Sequence, residues 1–347
     1  MPQNNKVCDA LVFTLQGNGT FNVKCTNKEI EEVRIPSTYD GKEVSSIVGS
    51  AFYGCTKLKS VIIEDGVSFI GAKAFRGCKS LEKIEIPNSV NTIGNEAFFN
   101  CTSLKTIVLP NSLPIINVNS FANCTSLESV KIPESVFCIE PNAFSDCSSL
   151  KSIILPKSVT TIGDRAFNCC RNVVSIEVDK LNPIYSSTDN CLIEKGTKTL
   201  IRGCGTSIIP ADGSVNFIGN YAFSGCDNLT KIEIPNTIIR LGIESFSCCK
   251  NLLSVEVPFG VANIMERAFA WCYNLKDVIV GESVTLINRH AFFGCFELKS
   301  TTIYNSIAKV HATAFEACTK VVIYSPVGSE VEKMAKIQGF GNAPLEK

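Results

Sequence analysis

Eighteen cysteines and two histidines are the residues of this 347-residue chain with the greatest capacity for chemistry. Thiolates and imidazoles bind zinc, and pairs of thiols form disulfides. The chain contains no Cys-x-x-Cys pair, the usual half of a zinc site. It also lacks Gly-x-Ser-x-Gly, a phosphate-binding loop and a dinucleotide-binding glycine motif. We therefore expect no catalytic residue, no metal site and no cofactor.

The overall composition narrows the classes of partner. The 33 basic and 33 acidic side chains give no net charge, so we expect no general attraction to nucleic acid or to an anionic membrane. Charged and polar residues interrupt every apolar run before the roughly 18 to 20 residues that a membrane span needs. The first ten residues carry one Lys and no apolar core, so no secretory signal is expected in this sequence.

Eleven of the cysteines belong to an internal repeat of 23 residues, interrupted once. Each repeat has a phenylalanine preceded by Ala or Ser: Phe52, Phe75, Phe98, Phe121, Phe144, Phe167, Phe223, Phe246, Phe269, Phe292 and Phe315. A cysteine follows three residues later: Cys55, Cys78, Cys101, Cys124, Cys147, Cys170, Cys226, Cys249, Cys272, Cys295 and Cys318. If the repeats stack as coils, equivalent residues form rows about 4.8 Å apart. The sequence therefore predicts a buried phenylalanine spine beside a row of small buried thiols.

Such a row of thiols suits neither zinc nor disulfides. Zinc needs four converging ligands, whereas the thiols point in parallel, and His290 and His311 occupy unrelated positions of the repeat. Parallel Cβ directions also oppose the disulfide dihedral. The remaining cysteines are Cys8, Cys25, Cys138, Cys169, Cys191, Cys204 and Cys248. Among them, Cys8–Cys25 and Cys191–Cys204 are possible bridges, each flanking a predicted hairpin, and free thiols are the alternative.

In typical copies the segment after the cysteine reads Leu-x-x-Val-x-Ile-Pro, or has Ile in place of Val as in residues 81–87, with the alternation of a half-buried strand that ends at proline. The full repeat, IGxxAFxxCxxLxxVxIPxSVxx, resembles the BspA-like, or Treponema pallidum type, leucine-rich repeats over about residues 30–325. The resemblance implies a leucine-rich repeat solenoid, right-handed and mostly β and irregular. It also implies a parallel β-sheet on the concave face and a short C-terminal helix cap.

The interruptions of the repeat predict the domain organisation. We expect an N-terminal cap with a β-hairpin over residues 1–46 and a repeat block over 47–178. A β-hairpin insertion is expected over 179–215, followed by a second repeat block over 216–325. Residues 326–347 are predicted to form a helical cap that ends near Gly339.

The resemblance also implies a function, namely a non-enzymatic cell-surface scaffold. Such a scaffold mediates adhesion to host matrix or cells, or binds another protein, through its concave face. The alternative is an intracellular regulatory scaffold that binds an endogenous protein. The candidate binding residues are outward strand positions: Ile62, Lys83, Glu85, Val108, Lys131, Ile154, Glu177, Lys231, Glu233, Glu256 and Asp277. Equally, these residue types suit any exposed strand surface. The sequence predicts no oligomeric state.

Overall fold

The computed structural model describes residues 10–345, which separate into two compact units. Unit 1 comprises Met1–Cys170 and Asp179–Pro183, and unit 2 comprises Arg171–Val178 and Ile184–Lys347. Each unit is a parallel β-solenoid in which one turn of the chain forms one coil. The predicted fold class is therefore confirmed.

Unit 1 begins with an antiparallel hairpin formed by β1 (Leu11–Leu15) and β2 (Phe21–Cys25). Three further strands complete its first part: β3 (Glu32–Ile35), β4 (Thr38–Tyr39) and β5 (Lys42–Ile47). Each following coil then contributes a longer strand and a two-residue strand. These are β6 (Ser60–Ile63), β7 (Phe69–Ile70), β8 (Lys83–Glu85), β9 (Thr92–Ile93), β10 (Thr106–Val108), β11 (Ile115–Ile116), β12 (Ser129–Lys131), β13 (Cys138–Ile139), β14 (Ser152–Leu155) and β15 (Thr161–Ile162).

Unit 2 starts with β16 (Ser175–Val178) and an antiparallel sheet of β17 (Tyr185–Thr188), β18 (Cys191–Glu194) and β19 (Thr199–Arg202). Coils then follow, and β19 pairs in parallel with the first of their short strands. The coil strands are β20 (Phe217–Ile218), β21 (Arg240–Leu241), β22 (Ser254–Val257), β23 (Asn263–Ile264), β24 (Asp277–Val280), β25 (Leu286–Ile287), β26 (Ser300–Ile303), β27 (Lys309–Val310) and β28 (Val322–Ser325). Helix α1 (Glu330–Gln338) and β29 (Gly341–Pro344) end the unit.

Neighbouring coils pair in register at an offset of 23 residues, so every repeat position forms a row. Val61 lies opposite Ile84 in unit 1, and Val255 lies opposite Val278 in unit 2. The inward residues of these strands are buried, whereas the residues between them face solvent. The Leu-x-x-Val-x-Ile pattern therefore forms a half-buried parallel strand in most coils, whereas residues 231–234 of unit 2 form no strand.

The phenylalanines form continuous stacks inside both units. Consecutive rings from Phe52 to Phe167 have centroids 4.9–5.5 Å apart and planes within 10° of parallel. From Phe223 to Phe315 the distances are 4.9–5.4 Å. The rings of both stacks are buried. The predicted spine is thus present, and an offset between parallel rings at this spacing is the favourable arrangement for aromatic pairs.

A tight turn carries each phenylalanine, and its backbone is left-handed on both sides of the ring in every repeat except that of Phe315. Two residues after every repeat phenylalanine φ is positive, from 54° at Cys169 to 76° at Gly77. Glycine, asparagine and aspartate fill this position in seven coils, because they tolerate this conformation best. Cys169 and Cys248, which lie outside the repeat cysteines, occupy the same turn position, as does Trp271.

Helix α1 closes unit 2 at the C-terminal end of the described chain. Its N-cap is Ser329, whose Oγ accepts a hydrogen bond from the Glu332 backbone at 3.1 Å. Gly339 ends the helix in the left-handed conformation. Val331 and Ala335 are buried against the last coils. The predicted short helix cap is therefore confirmed, with Gly339 as its end.

Candidate functional site

Nine of the eleven repeat cysteines have a structural role, because their thiols bond to a phenylalanine carbonyl of the coil before. In unit 1 the thiols of Cys78, Cys101, Cys124, Cys147 and Cys170 donate to carbonyl oxygens of phenylalanines 26 residues earlier, at 3.1–3.2 Å. Four thiols of unit 2 do the same at 3.0–3.2 Å: Cys249, Cys272, Cys295 and Cys318. A buried carbonyl oxygen thereby gains a second donor from the next coil.

Burial makes these thiols poor nucleophiles. Desolvation raises the pKa of Cys78 to about 12 and that of Cys124 to about 12, from an ordinary 9.0. Desolvation likewise raises the pKa of Cys147 and Cys249. Cys25 is the exception, since a hydrogen bond from the Cys55 thiol lowers its pKa to about 7. The row of thiols therefore holds coils together, and burial disfavours the thiolate form of Cys78, Cys124, Cys147 and Cys249.

The structure does not form the bridge considered between Cys191 and Cys204. Both residues are buried free thiols. Cys191 Sγ donates to the Ile208 carbonyl at 3.4 Å, and Cys204 Sγ lies 3.2 Å from the Thr206 hydroxyl. Cys25 is also a free thiol and donates to the Asn27 carbonyl, whereas Cys8 lies outside the described residues. Local hydrogen bonds therefore satisfy these thiols without disulfides.

Residues 10–345 offer no obvious place for a metal ion or a membrane span. Within this range, no three His, Cys, Asp or Glu side chains are grouped as ligands. The described helix is also too short and too polar to cross a bilayer, and no other helix qualifies. The outward faces of the strands are therefore the surfaces to consider for function.

Among the outward strand residues of unit 1, two charged candidates pair with each other. Lys83 Nζ lies 2.6 Å from Glu85 Oε1, and nearby Arg34 and Glu64 pair at 2.7 Å. The apolar candidates differ in exposure: Val108 is 79% exposed and Ile154 52%, whereas Ile62 is half-buried. Lys131 is exposed on β12. In unit 1 these residues lie on successive coils.

Unit 2 carries the acidic part of the predicted surface. Glu233 and Glu256 are exposed outward residues of neighbouring coils, and Asp277 follows on β24. Neither Glu233 nor Glu256 forms an ion pair or a side-chain hydrogen bond with the residues that the structure describes. Asp277 accepts a hydrogen bond from Ser300 Oγ at 2.9 Å. Two carboxylates of this face are therefore available to a partner.

A cleft opens between residues 231–236 and 254–258 in unit 2, and we call it the unit 2 cleft. Its volume is about 520 Å³. The side chains at its outer surface are those of Lys231, Glu233, Ser254, Glu256, Asp277 and Ile279. Four of the predicted binding residues thus meet at one cavity. Glu177 does not line it, and its carboxylate instead accepts a hydrogen bond from Ser175 Oγ at 3.0 Å.

This cleft lies at a boundary where residues 231–234 of one coil do not pair with β22 of the next coil. At the next boundary between coils, Gly281 N–H donates to the Val257 carbonyl at 3.0 Å. The equivalent donor one coil earlier would be residue 258, which is proline. Among the described residues, no backbone hydrogen bond joins residues 231–234 to β22. This stretch of chain is accordingly extended without belonging to a sheet.

The two coils approach closely at both ends of the cleft. At one end, Leu253 N–H donates to the Thr230 carbonyl at 3.1 Å. At the other end, a Cβ on Gly260 would lie 2.7 Å from the Ile238 carbonyl oxygen, so only glycine allows that approach. The cleft is therefore closed at both ends by these contacts between the two coils.

This architecture defines a leucine-rich repeat solenoid, and the comparisons with known proteins specify its family. The family profile "BspA type Leucine rich repeat region (6 copies)" matches residues 20–136, 114–192 and 200–322. The chain therefore belongs to the BspA-type leucine-rich repeat family. No curated protein sequence matches it.

Solved structures of similar fold come from several bacteria. A leucine-rich cell surface protein of Faecalibacterium prausnitzii is 30% identical, with a TM-score of 0.78 over 93% of this chain and 94% of that one. The pneumococcal vaccine antigen PcpA is 20% identical, with a TM-score of 0.66 over 98% and 97% of the two chains. A leucine-rich repeat protein of Eubacterium ventriosum is 22% identical, with a TM-score of 0.60 over 92% and 83%. The last two likenesses concern the fold alone.

Proposed function

We propose that this chain is a non-enzymatic scaffold, displayed at a cell surface, that binds a protein of host matrix or host cells. The observation that carries the proposal is the exposed strand face of unit 2, where Glu233 and Glu256 have no partner within the described chain. Charges left unpaired on a rigid face are suited to electrostatic recognition of another protein. The inward strand positions are committed to the core, so the outward ones are available for binding.

The family supports a scaffold in preference to an enzyme. Repeat solenoids present extended surfaces, and the chemistry found here is that of buried thiols with raised pKa values. The similar protein of F. prausnitzii is described as a cell surface protein. This description supports surface display of the present chain and leaves its ligand to experiment.

Surface display is tested by antibody labelling of intact and permeabilised cells of the organism that makes the protein. We expect labelling of intact cells. Binding is then tested with the purified chain on immobilised host matrix proteins, where saturable capture is expected. A heat-unfolded sample of the same chain is the control. Labelling that requires permeabilisation, or an absence of saturable capture, would contradict the proposal.

One observation favours the alternative of an intracellular scaffold. Buried free thiols such as Cys101, Cys124 and Cys272 are typical of reducing compartments. Under this alternative, antibody would label permeabilised cells alone, and affinity capture from a lysate of the same cells would retain an endogenous protein. Saturable binding to matrix proteins would then be absent.

A further inference from the structure

We propose that the unit 2 cleft binds an arginine side chain carried by an extended segment of the protein partner. The proposal rests on the proposed function, because it assigns the partner's chemistry at the same strand face. Its basis is a cavity of about 520 Å³ that combines unpaired carboxylates with backbone groups lacking ladder partners.

The backbone supplies the first part of the site. The Ile234 carbonyl faces the next coil at the position where Pro258 has no N–H to donate. Residues 231–234 form no backbone hydrogen bonds to β22, although the coils touch at Thr230 and Leu253. A carbonyl oxygen beside a cleft accepts hydrogen bonds from any donor that enters. This part of the site therefore favours a ligand with several N–H groups.

The charges supply the second part. Glu233 and Glu256 stand on the two sides of the cleft, and Asp277 stands on the following coil. Lys231 is the one cationic side chain lining the cleft, so carboxylates outnumber it three to one. Lys231 also forms no ion pair with the described residues. The cleft consequently presents an excess of negative charge to a ligand.

Arginine fits both parts better than lysine does. Its planar guanidinium carries five N–H donors, enough to engage a carboxylate in a bidentate pair and a carbonyl oxygen as well. Hydrogen bonds between ionised groups are stronger than neutral ones. Unit 1 offers a contrast, since Lys83 already neutralises Glu85 at 2.6 Å on its strand face. In the unit 2 cleft, by contrast, a guanidinium from the protein partner would supply the cation that Glu233 and Glu256 lack.

The test uses the full chain and a capped peptide of alternating Thr and Arg, about six residues long to match one strand. Calorimetry or fluorescence polarisation at low salt gives its dissociation constant. A peptide with citrulline in place of Arg keeps the shape and removes the charge. We expect the Arg peptide to bind at least about tenfold more tightly than the citrulline peptide, the scale of a charge-assisted hydrogen bond.

Two variants and their matched controls locate the binding. The double variant Glu233→Gln/Glu256→Gln should bind the Arg peptide about tenfold more weakly. Glu43→Gln, which removes an exposed strand carboxylate of unit 1, should leave the affinity unchanged. Pro258→Ala restores an N–H opposite Ile234 and should weaken binding while every carboxylate remains. Pro133→Ala is its control at the equivalent position of unit 1.

Each outcome decides the proposal. Equal binding of the Arg and citrulline peptides, or a double variant that binds like wild type, would overturn it. Full affinity in a folded Pro258→Ala variant would overturn the cleft as the site, since an acidic surface would then suffice. If wild-type chain captures a matrix protein but ignores the Arg peptide, the proposed function stands and the cleft proposal fails. Circular dichroism of each variant establishes that it is folded.

Discussion

Alkaline pH should destabilise this protein because folding raises the pKa of its buried thiols. In the folded chain the thiols of Cys78, Cys101, Cys124 and Cys147 are buried, and desolvation raises the pKa of each. In the unfolded chain they ionise near the ordinary value of 9.0. A group whose pKa is raised by folding stabilises the fold fully below its unfolded pKa. That contribution is lost as the pH rises towards the folded pKa, which is about 12 for Cys124.

The size of the effect follows from the number of thiols. Each thiol that is protonated when folded and ionised when unfolded lowers the free energy of unfolding by about 1.4 kcal/mol per pH unit. The four thiols named for unit 1 together lower the free energy of unfolding by about 5 kcal/mol for each pH unit. For comparison, the free energy of unfolding of a typical domain is about 5–15 kcal/mol in total. We therefore expect most of the stability of unit 1 to disappear between about pH 9 and pH 11.

Urea unfolding followed by circular dichroism at a series of pH values measures this slope. Cys124→Ala provides the matched comparison, because its slope should be smaller by one proton, or about 1.4 kcal/mol per pH unit. Its stability at neutral pH should also fall, since the Phe98 carbonyl loses the thiol donor. A free energy of unfolding that stays constant from about pH 8 to pH 10 would refute the reasoning, as would an unchanged slope in Cys124→Ala.

Three further predictions concern the core, the coil contacts and the thiols. Phe121→Ala should lower the free energy of unfolding by about 3–5 kcal/mol, because it interrupts a buried stack of rings. Phe137→Ala removes a ring that is 48% exposed and should lower it far less. Similar losses for the two variants in urea unfolding would contradict a stabilising role of the stack. Gly94→Ala should be destabilising because its Cβ would lie 2.5 Å from the Ala72 backbone nitrogen, and Gly17→Ala, which meets nothing within 4 Å, is the control in thermal melts. Iodoacetamide should modify the partly exposed Cys248 before the buried Cys124. Peptide mass spectrometry of the native protein at early times measures this order, and faster modification of Cys124 would contradict the prediction.

The periodicity of the sequence was sufficient to predict the coils, because each repeat position has a single environment. Phe at 23-residue intervals specifies a stack, and the alternation in residues such as 81–87 specifies a strand with one buried face. The role of the cysteines was harder to predict. A thiol that donates to a carbonyl 26 residues earlier depends on how adjacent coils are placed, and spacing along one chain does not report that distance.

Two features of the site were missed, and the sequence held a sign of one of them. The left-handed turn position was visible as a column of Gly, Asn and Asp two residues after the phenylalanines, and Cys248 belongs to it. The unit 2 cleft could not be predicted from Pro258, because β10 and β12 pair although Pro133 occupies the equivalent position. The sequence did place Glu177, Glu233 and Glu256 among the candidate binding residues, but β17, β18 and β19 separate Glu177 from the others along the chain.

The regular offset between bonded positions has a consequence for how such chains change in length. Phenylalanine rings stack at 23 residues and thiols bond at 26, so each coil requires only its immediate neighbours. Duplicating any segment of 23 residues within a regular run of coils therefore adds one complete coil, wherever the segment begins. Every residue after the duplication keeps its position in the repeat. Deleting such a segment removes one coil in the same way. Recombination between repeated stretches of the gene can thus lengthen or shorten the binding surface by whole coils while the caps remain unchanged.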